Sequence, residues 1–234
     1  MAGPLLAVRG VKKNYGGLRP LRLAALELAA GDRAAILGVD AAAAEILVNL
    51  LTGAALPDEG EVLVFGRATT TIASADEWLT TLDRIGMVSP RAMLAEEFTV
   101  EQGIAMAFTL SLDPVPDAVA ADVARLAREA GLAAEDLRAR VADAPAMAKA
   151  RCRLARALAT APALLLLEHA NALVPEGSAA LGRDIRALAK ARGMAVLALT
   201  ADEAFARAVA DRVFVLDAAT GRLDPRGRWR RLFG

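Results

Sequence analysis

Few positions in this sequence combine a charged or proton-carrying side chain with the edge of an ordered element. Glu168-His169 follows the apolar run Ala163–Leu167, at the end of an expected strand. An imidazole there can serve as a general base near neutral pH, or simply close a strand as a polar residue. Gly38 ends the run Asp32–Gly38, and Asp40 stands just before the helical stretch Ala41–Leu51. An Asp in that place accepts the free N–H groups of the first helical turn. The helix N-terminus is then satisfied by the protein itself and not by an anion. Tyr15, in the turn Tyr15-Gly16-Gly17, offers a ring that can stack or pack.

The elements that must position these residues follow from periodicity. Leu5–Val11 and Leu21–Leu28 read as short strands, and Asp32–Gly38 as a buried one. In the helix Ala41–Leu51, Ile46, Leu47, Leu50 and Leu51 share a face. Gly60–Phe65 and Ile85–Val88 are further strands. From about Phe98 to Arg140 the pattern turns helical, broken at Pro114 and Pro116, with Val119, Val123, Leu126 and Ala130 on one inward face. Then come a helix at Lys149–Ala159, the strand Ala163–Leu167, a helix at Ser178–Arg192, a strand at Ala195–Leu199, a helix at Glu203–Ala210 and a strand at Arg212–Leu216. Strand–helix alternation predicts an α/β fold, a parallel sheet with helices on both faces. The basic tail Gly221–Gly234 carries no predicted element.

Composition narrows the function classes. With 234 residues, 56% of them hydrophobic, the chain can bury a full core. Twenty-eight basic residues balance 28 acidic ones, so no charge demands a nucleic acid or an anionic membrane. One cysteine, Cys152, excludes a disulfide framework, and one histidine excludes a multi-His metal site. Aromatics at 4% leave no base-stacking surface. The longest apolar stretch, Ala157–Leu167, falls well short of the roughly 20 residues of a spanning helix. The start MAGPLLAVRG lacks a signal-peptide pattern. A cytoplasmic location is therefore expected.

One further set of features concerns order and spacing: the Tyr15 turn, Gly31-Asp32 before the strand to Gly38, Asn49-Leu50-Leu51-Thr52-Gly53, and Pro57-Asp58-Glu59-Gly60-Glu61-Val62. Ala155-Arg156-Ala157-Leu158, Pro162 before four leucines, and Ala210-Asp211-Arg212-Val213 follow. From about Leu5 to Leu223 the chain resembles the ATP-binding cassette (ABC) ATPase, the motor subunit of ABC transporters. The resemblance implies a P-loop NTPase-like parallel core, an N-terminal antiparallel β part and an inserted helical subdomain at about 98–145, all in one domain over 1–234.

The resemblance also locates the family's working residues, and most are replaced. Its phosphate loop, G-x-x-x-x-G-K-[ST], cradles phosphates on backbone N–H groups, reaches them with Lys, and holds Mg²⁺ with the hydroxyl. The matching stretch is Gly38-Val39-Asp40-Ala41-Ala42-Ala43-Ala44-Glu45. Ala43 replaces the second glycine, Ala44 the lysine and Glu45 the hydroxyl. A carboxylate about 4 Å from a phosphate charge costs roughly 4 kcal/mol at an effective dielectric near 20. Glu168 falls on the Mg²⁺-supporting acid and His169 on the catalytic glutamate. The signature loop L-S-G-G-Q falls on Ala144-Pro145-Ala146-Met147-Ala148, the γ-phosphate sensor near Pro90, the switch histidine on Ala201, and the D-loop aspartate on Val174 or Pro175. Tyr15 keeps the family's adenine-stacking place.

These replacements imply a catalytically degenerate cassette (a pseudo-ATPase) with no resident metal or cofactor, acting as a dimer with an ABC permease or a second ABC subunit. It would meet the membrane only through that partner, at the cytoplasmic face, and would bind no nucleic acid. Two alternatives stand beside it. One is an ATPase that still takes Mg-ATP through substituted residues or a heterodimer partner, with Glu45 and Glu168 sharing Mg²⁺ and His169 as base. The other is a soluble scaffold protein. Met93, Leu94 and Phe98 with Glu96, Glu97 and Glu101 form either an apolar–acidic patch facing a permease or a solvated loop with two core residues.

Overall fold

The protein is described by a computed structural model covering residues 3–16 and 19–226. Gly17 of the predicted turn and residues 227–234 of the basic tail lie outside the described residues. In chain order the elements are β1 (Leu6–Lys13), β2 (Leu21–Leu28), β3 (Arg33–Leu37), α1 (Ala41–Thr52), β4 (Glu59–Val64), β5 (Arg67–Ala68), α2 (Ala75–Leu82) and β6 (Ile85–Val88). They continue as α3 (Val100–Ala105), α4 (Asp117–Glu129), α5 (Ala134–Arg138), α6 (Ala146–Ala157) and β7 (Leu164–Glu168). The last are α7 (Ser178–Arg192), β8 (Ala195–Thr200), α8 (Glu203–Val209), β9 (Arg212–Leu216) and β10 (Leu223–Pro225).

Two sheets form. The first is antiparallel, in the order β2-β1-β4-β5, and the second runs β10-β9-β3-β8-β7-β6. In the second sheet every pairing from β9 to β6 is parallel, and only β10 is antiparallel to its neighbour. The central strands are buried on both faces, which is why they read as unbroken apolar runs. Leu165 and Leu167 of β7 join one core with Ala35 and Leu37 of β3 and the helices α3, α4, α6, α7 and α8. Leu164 and Leu166 face the opposite core, with Ala34, Ile36, helix α1 and the antiparallel sheet. The antiparallel sheet has one wet face, so Leu21, Leu23, Leu26 and Leu28 are buried while Arg22 and Glu27 are exposed.

The predicted parallel α/β core is present, and the structure corrects the expectation in three places. Strand β10 pairs with β9 where no element was predicted. Helix α2 is also additional: Ser74 caps it by accepting from the Glu77 N–H, and Trp78 donates Nε1–H to the Thr52 carbonyl at 2.9 Å. Helix α6 starts at Ala146 instead of Lys149. That start absorbs Ala146-Met147-Ala148 into a helix.

Candidate functional site

The carboxyl ends of β3, β6, β7 and β8 meet at one edge of the parallel sheet, where ligands gather in open α/β folds. Beyond β3, Gly38 takes a left-handed backbone (φ 83°) that turns the chain towards α1. Val39 is buried. Asp40 is extended, and its Oδ1 accepts the Ala43 N–H at 2.8 Å while its carbonyl accepts the Ala44 N–H at 2.9 Å. This is the self-capped helix start the sequence predicts, with one first-turn donor, the Ala43 N–H, turned onto the protein's own carboxylate. Ala41 and Ala42 are exposed. Ala44 is fully buried in the core shared with β3. A lysine there would have to bury its stem and head or move the helix.

Glu45 and Glu168 do come together, but around a side chain and not a metal. Glu168, at the end of β7, is 3% exposed. Arg91, in the turn after β6, donates Nε–H to Glu168 Oε1 at 2.9 Å and a terminal N–H to Oε2 at 2.8 Å. This is a two-pronged guanidinium–carboxylate pair. Its other terminal nitrogen donates to Glu45 Oε1 at 2.9 Å. The hydrogen bonds to Glu168 hold the guanidinium above its already high range, so it stays charged. Two carboxylates and one guanidinium leave the triad at −1, so the charge of Glu45 is partly answered inside the chain.

The turn that carries Arg91 is itself fixed. Ser89 is buried and its Oγ accepts the Arg91 N–H at 3.0 Å. From α6, Arg153 donates to the Ala92 carbonyl at 2.8 Å and Arg156 to the Met93 carbonyl at 3.0 Å. Pro90 offers neither an amide side chain nor an N–H to the site. Leu94 is buried in the core and Phe98 is half-buried, so the apolar part of the expected patch that faces solvent is mainly Met93, which is 83% exposed.

His169 adopts a left-handed backbone (φ 44°, ψ 36°) and its N–H donates to the Leu199 carbonyl at 2.9 Å. Its Nε2 is buried without a partner. The neighbouring acid end of β8 is occupied internally. Thr200 donates to Asn171 Oδ1 at 2.7 Å and accepts the Asp202 N–H, while Asp202 caps α8 at Phe205 and accepts from Ser178 Oγ at 2.6 Å. Ala201 contributes no functional group. Burial opposes ionisation of Asp202, but the Ser178 hydroxyl and backbone N–H groups outweigh it and hold its carboxyl below the usual range.

Tyr15 packs against the core that includes α1 and lines a cavity of about 330 Å³ with Arg19, Arg22, Gly38, Asp40 and Ala43. The stretch Ala144–Ala148 is the start of α6, with Pro145 at its N-cap and no capping side chain. Met147 and Val174–Gly177 enclose a second, mainly apolar cavity of about 400 Å³. Among the described residues no three His, Cys, Asp or Glu side chains cluster as metal ligands do. At this edge of the sheet the helix start is capped, Ala44 is buried, and a guanidinium stands between the two acids. The sequence analysis gives Arg91 no role, because its partners lie 46 and 77 residues away.

Known proteins show the same organisation. A family model described as ABC transporter matches residues 21–172. The methionine import ATP-binding protein MetN of Mesorhizobium japonicum is 32% identical over 93% of this chain, which covers 58% of MetN. The MetN of Caulobacter vibrioides is 31% identical over 98% of this chain and 68% of its own length. The ribose import ATP-binding protein RbsA 2 of Rhizobium etli is 31% identical, and this chain spans 42% of it. Among solved structures, cbiO1 from Clostridium perfringens, part of the ABC transporter complex cbiONQ, superposes with a TM-score of 0.77 at 21% identity, over 94% of this chain and 87% of its own. A bacterial Atm1-family ABC exporter with ATP bound gives 0.74 at 20% identity, over all of this chain and 41% of its own. The chain spans about half the length of several of these relatives; fold, matched segment and relatives agree, and the chain belongs to the ABC transporter family.

Proposed function

We propose that this chain is a catalytically degenerate cassette, a pseudo-ATPase that works as a structural half of a transporter assembly. The observation that carries this reading is the Arg91 guanidinium held between Glu45 and Glu168. The capped α1 terminus and the buried Ala44 support it. With the Ala43 N–H spent on Asp40, Ala in place of a lysine and Glu45 beside it, the loop is poorly equipped to hold a triphosphate. Its partner is a permease or a second, active cassette, as the import relatives suggest. That pairing puts the chain at the cytoplasmic membrane face, and among the described residues no helix is long and apolar enough to cross a membrane. Exposed Met87, Met93, Phe108 and Leu110 supply apolar surface for a permease. Residues about 98–145 act as a helical subdomain.

The test is calorimetry of the purified chain with Mg-ATP up to millimolar nucleotide. No heat of binding is expected. Micromolar affinity would overturn the reading, and would make Glu45, Glu168 and His169 the residues to alter next.

The cavity beside Tyr15 and Gly38 favours a second reading, in which an adenine is held here and an intact partner supplies the phosphate contacts across a mixed dimer. Stacking alone is worth about 1–3 kcal/mol, which is no better than millimolar. In that case ATP would bind only to the mixture of the two chains.

A further inference from the structure

Three groups of the structure converge on one point: a buried acid at the end of β7, a half-exposed acid in the first turns of α1, and a guanidinium from the turn after β6. Glu168 and Glu45 come from elements far apart in sequence, and Arg91 touches both, through three of its nitrogens. Two converging carboxylates from different elements are what a hard divalent ion selects. Here the geometry needs no such ion, because a cation is already covalently part of the chain.

We infer that Arg91 is a built-in cation: its guanidinium fills the space between Glu45 and Glu168, keeps divalent ions out, and fixes the turn 89–93 without any ligand. The second half of that statement rests on the other arginines. Arg153 and Arg156 hold the carbonyls of Ala92 and Met93 from α6, so the turn is tied to the sheet on one side and to the helices on the other. Met93 is held out into solvent between those ties. A turn tied on both sides presents the same surface whatever nucleotide is in solution, a consequence that rests on the functional reading above, although the ion-pair geometry does not.

The inference predicts a latent metal site. Replacing Arg91 with Ala leaves two facing carboxylates, one of them buried, without a counter-ion. The probe is Mn²⁺ alone, with no nucleotide, followed by thermal unfolding of the full chain. The unaltered protein should show no Mn²⁺-dependent rise in Tm. Arg91→Ala should melt roughly 6–12 °C lower, and millimolar Mn²⁺ should restore a large part of that loss. The double variant Arg91→Met with Glu168→Gln carries no uncompensated buried charge. It should melt above Arg91→Ala and ignore Mn²⁺.

If Arg91→Ala fails to fold without metal, recovery of a folded chain by Mn²⁺ or in the double variant supports the inference. Failure of both overturns it. A folded Arg91→Ala that ignores Mn²⁺ also overturns it, as does an unaltered chain that gains stability from Mn²⁺ as strongly as the variant. Mg-ATP binding by the unaltered chain, by contrast, would sink the functional reading and leave the Mn²⁺ result to be judged by itself.

Discussion

Gly60 and Gly86 stand in the scaffold, while Ala43 and Ala44 stand in the first turn of α1, and the two regions treat a Cβ in opposite ways. A Cβ at Gly60 would sit 2.3 Å from the Gly10 carbonyl oxygen, and one at Gly86 would sit 2.5 Å from the Ala157 carbonyl oxygen. Both obstacles are backbone, so the chain itself forbids a side chain. At positions 43 and 44 the methyl groups are accommodated in a regular helix, and Ala44 adds to the core. A glycine in such a loop serves a ligand that must come close, and nothing else in this fold requires one there. The scaffold's constraints are thus internal to the chain, and the loop's were external.

The strongest way to break this comparison is Gly60→Ala. The left-handed backbone at Gly60 (φ 83°) and the clash with β1 act together, beside the register shift between Arg9 and Lys12. A loss of about 3 kcal/mol or more is expected, read by denaturant titration. A loss below about 1 kcal/mol would mean β1 and β4 can separate locally, and the contrast with the loop would fail.

Asp40→Ala should do less. It removes the capping bond to the Ala43 N–H and should cost about 1 kcal/mol, or about 2–4 °C in Tm for a chain of this size. Unchanged stability would show that the loop leaves its helical start in solution, and the capping role of Asp40 would go with it.

How much of this could be read beforehand follows the same division. The bounds of β2, β6, α7 and β9 agree with the predicted ones: β2 and α7 bury one clear apolar period, and β6 and β9 are short apolar runs between turn residues. The N-cap at Asp40 was legible because capping is a three-residue affair. Helix α2 is hard to read from the sequence because it is two turns long and none of its residues is fully buried, so its stripe of Trp78 and Leu82 is short. Its local mark was Ser74 three residues before Glu77. Strand β10 is three residues long and gains its identity only by lying against β9. The guanidinium clamp was illegible for a stronger reason: its bonds span 46 and 77 residues. No window of sequence contains both ends of such a pair.

The finest test compares two helix starts capped by the same residue type. Asp40 caps α1 with one oxygen, and its other role is open to solvent. Asp202 caps α8 with one oxygen and holds the Ser178 hydroxyl with the other. Burial raises the cost of charge on Asp202, yet the Ser178 and backbone hydrogen bonds hold its carboxyl below the ordinary value of 3.8. A carboxyl depressed in the folded state adds stability that is fully present above its unfolded value and is lost as pH falls through the folded one. Ser178→Ala removes one of the depressing bonds, so the acid limb of the stability curve should move to slightly higher pH, with little change of slope near neutrality. An equal loss at all pH values would mean that Ser178 acts by packing alone. Asp202 would then be only a cap like Asp40, and the second, internally satisfied helix start would no longer differ from the first.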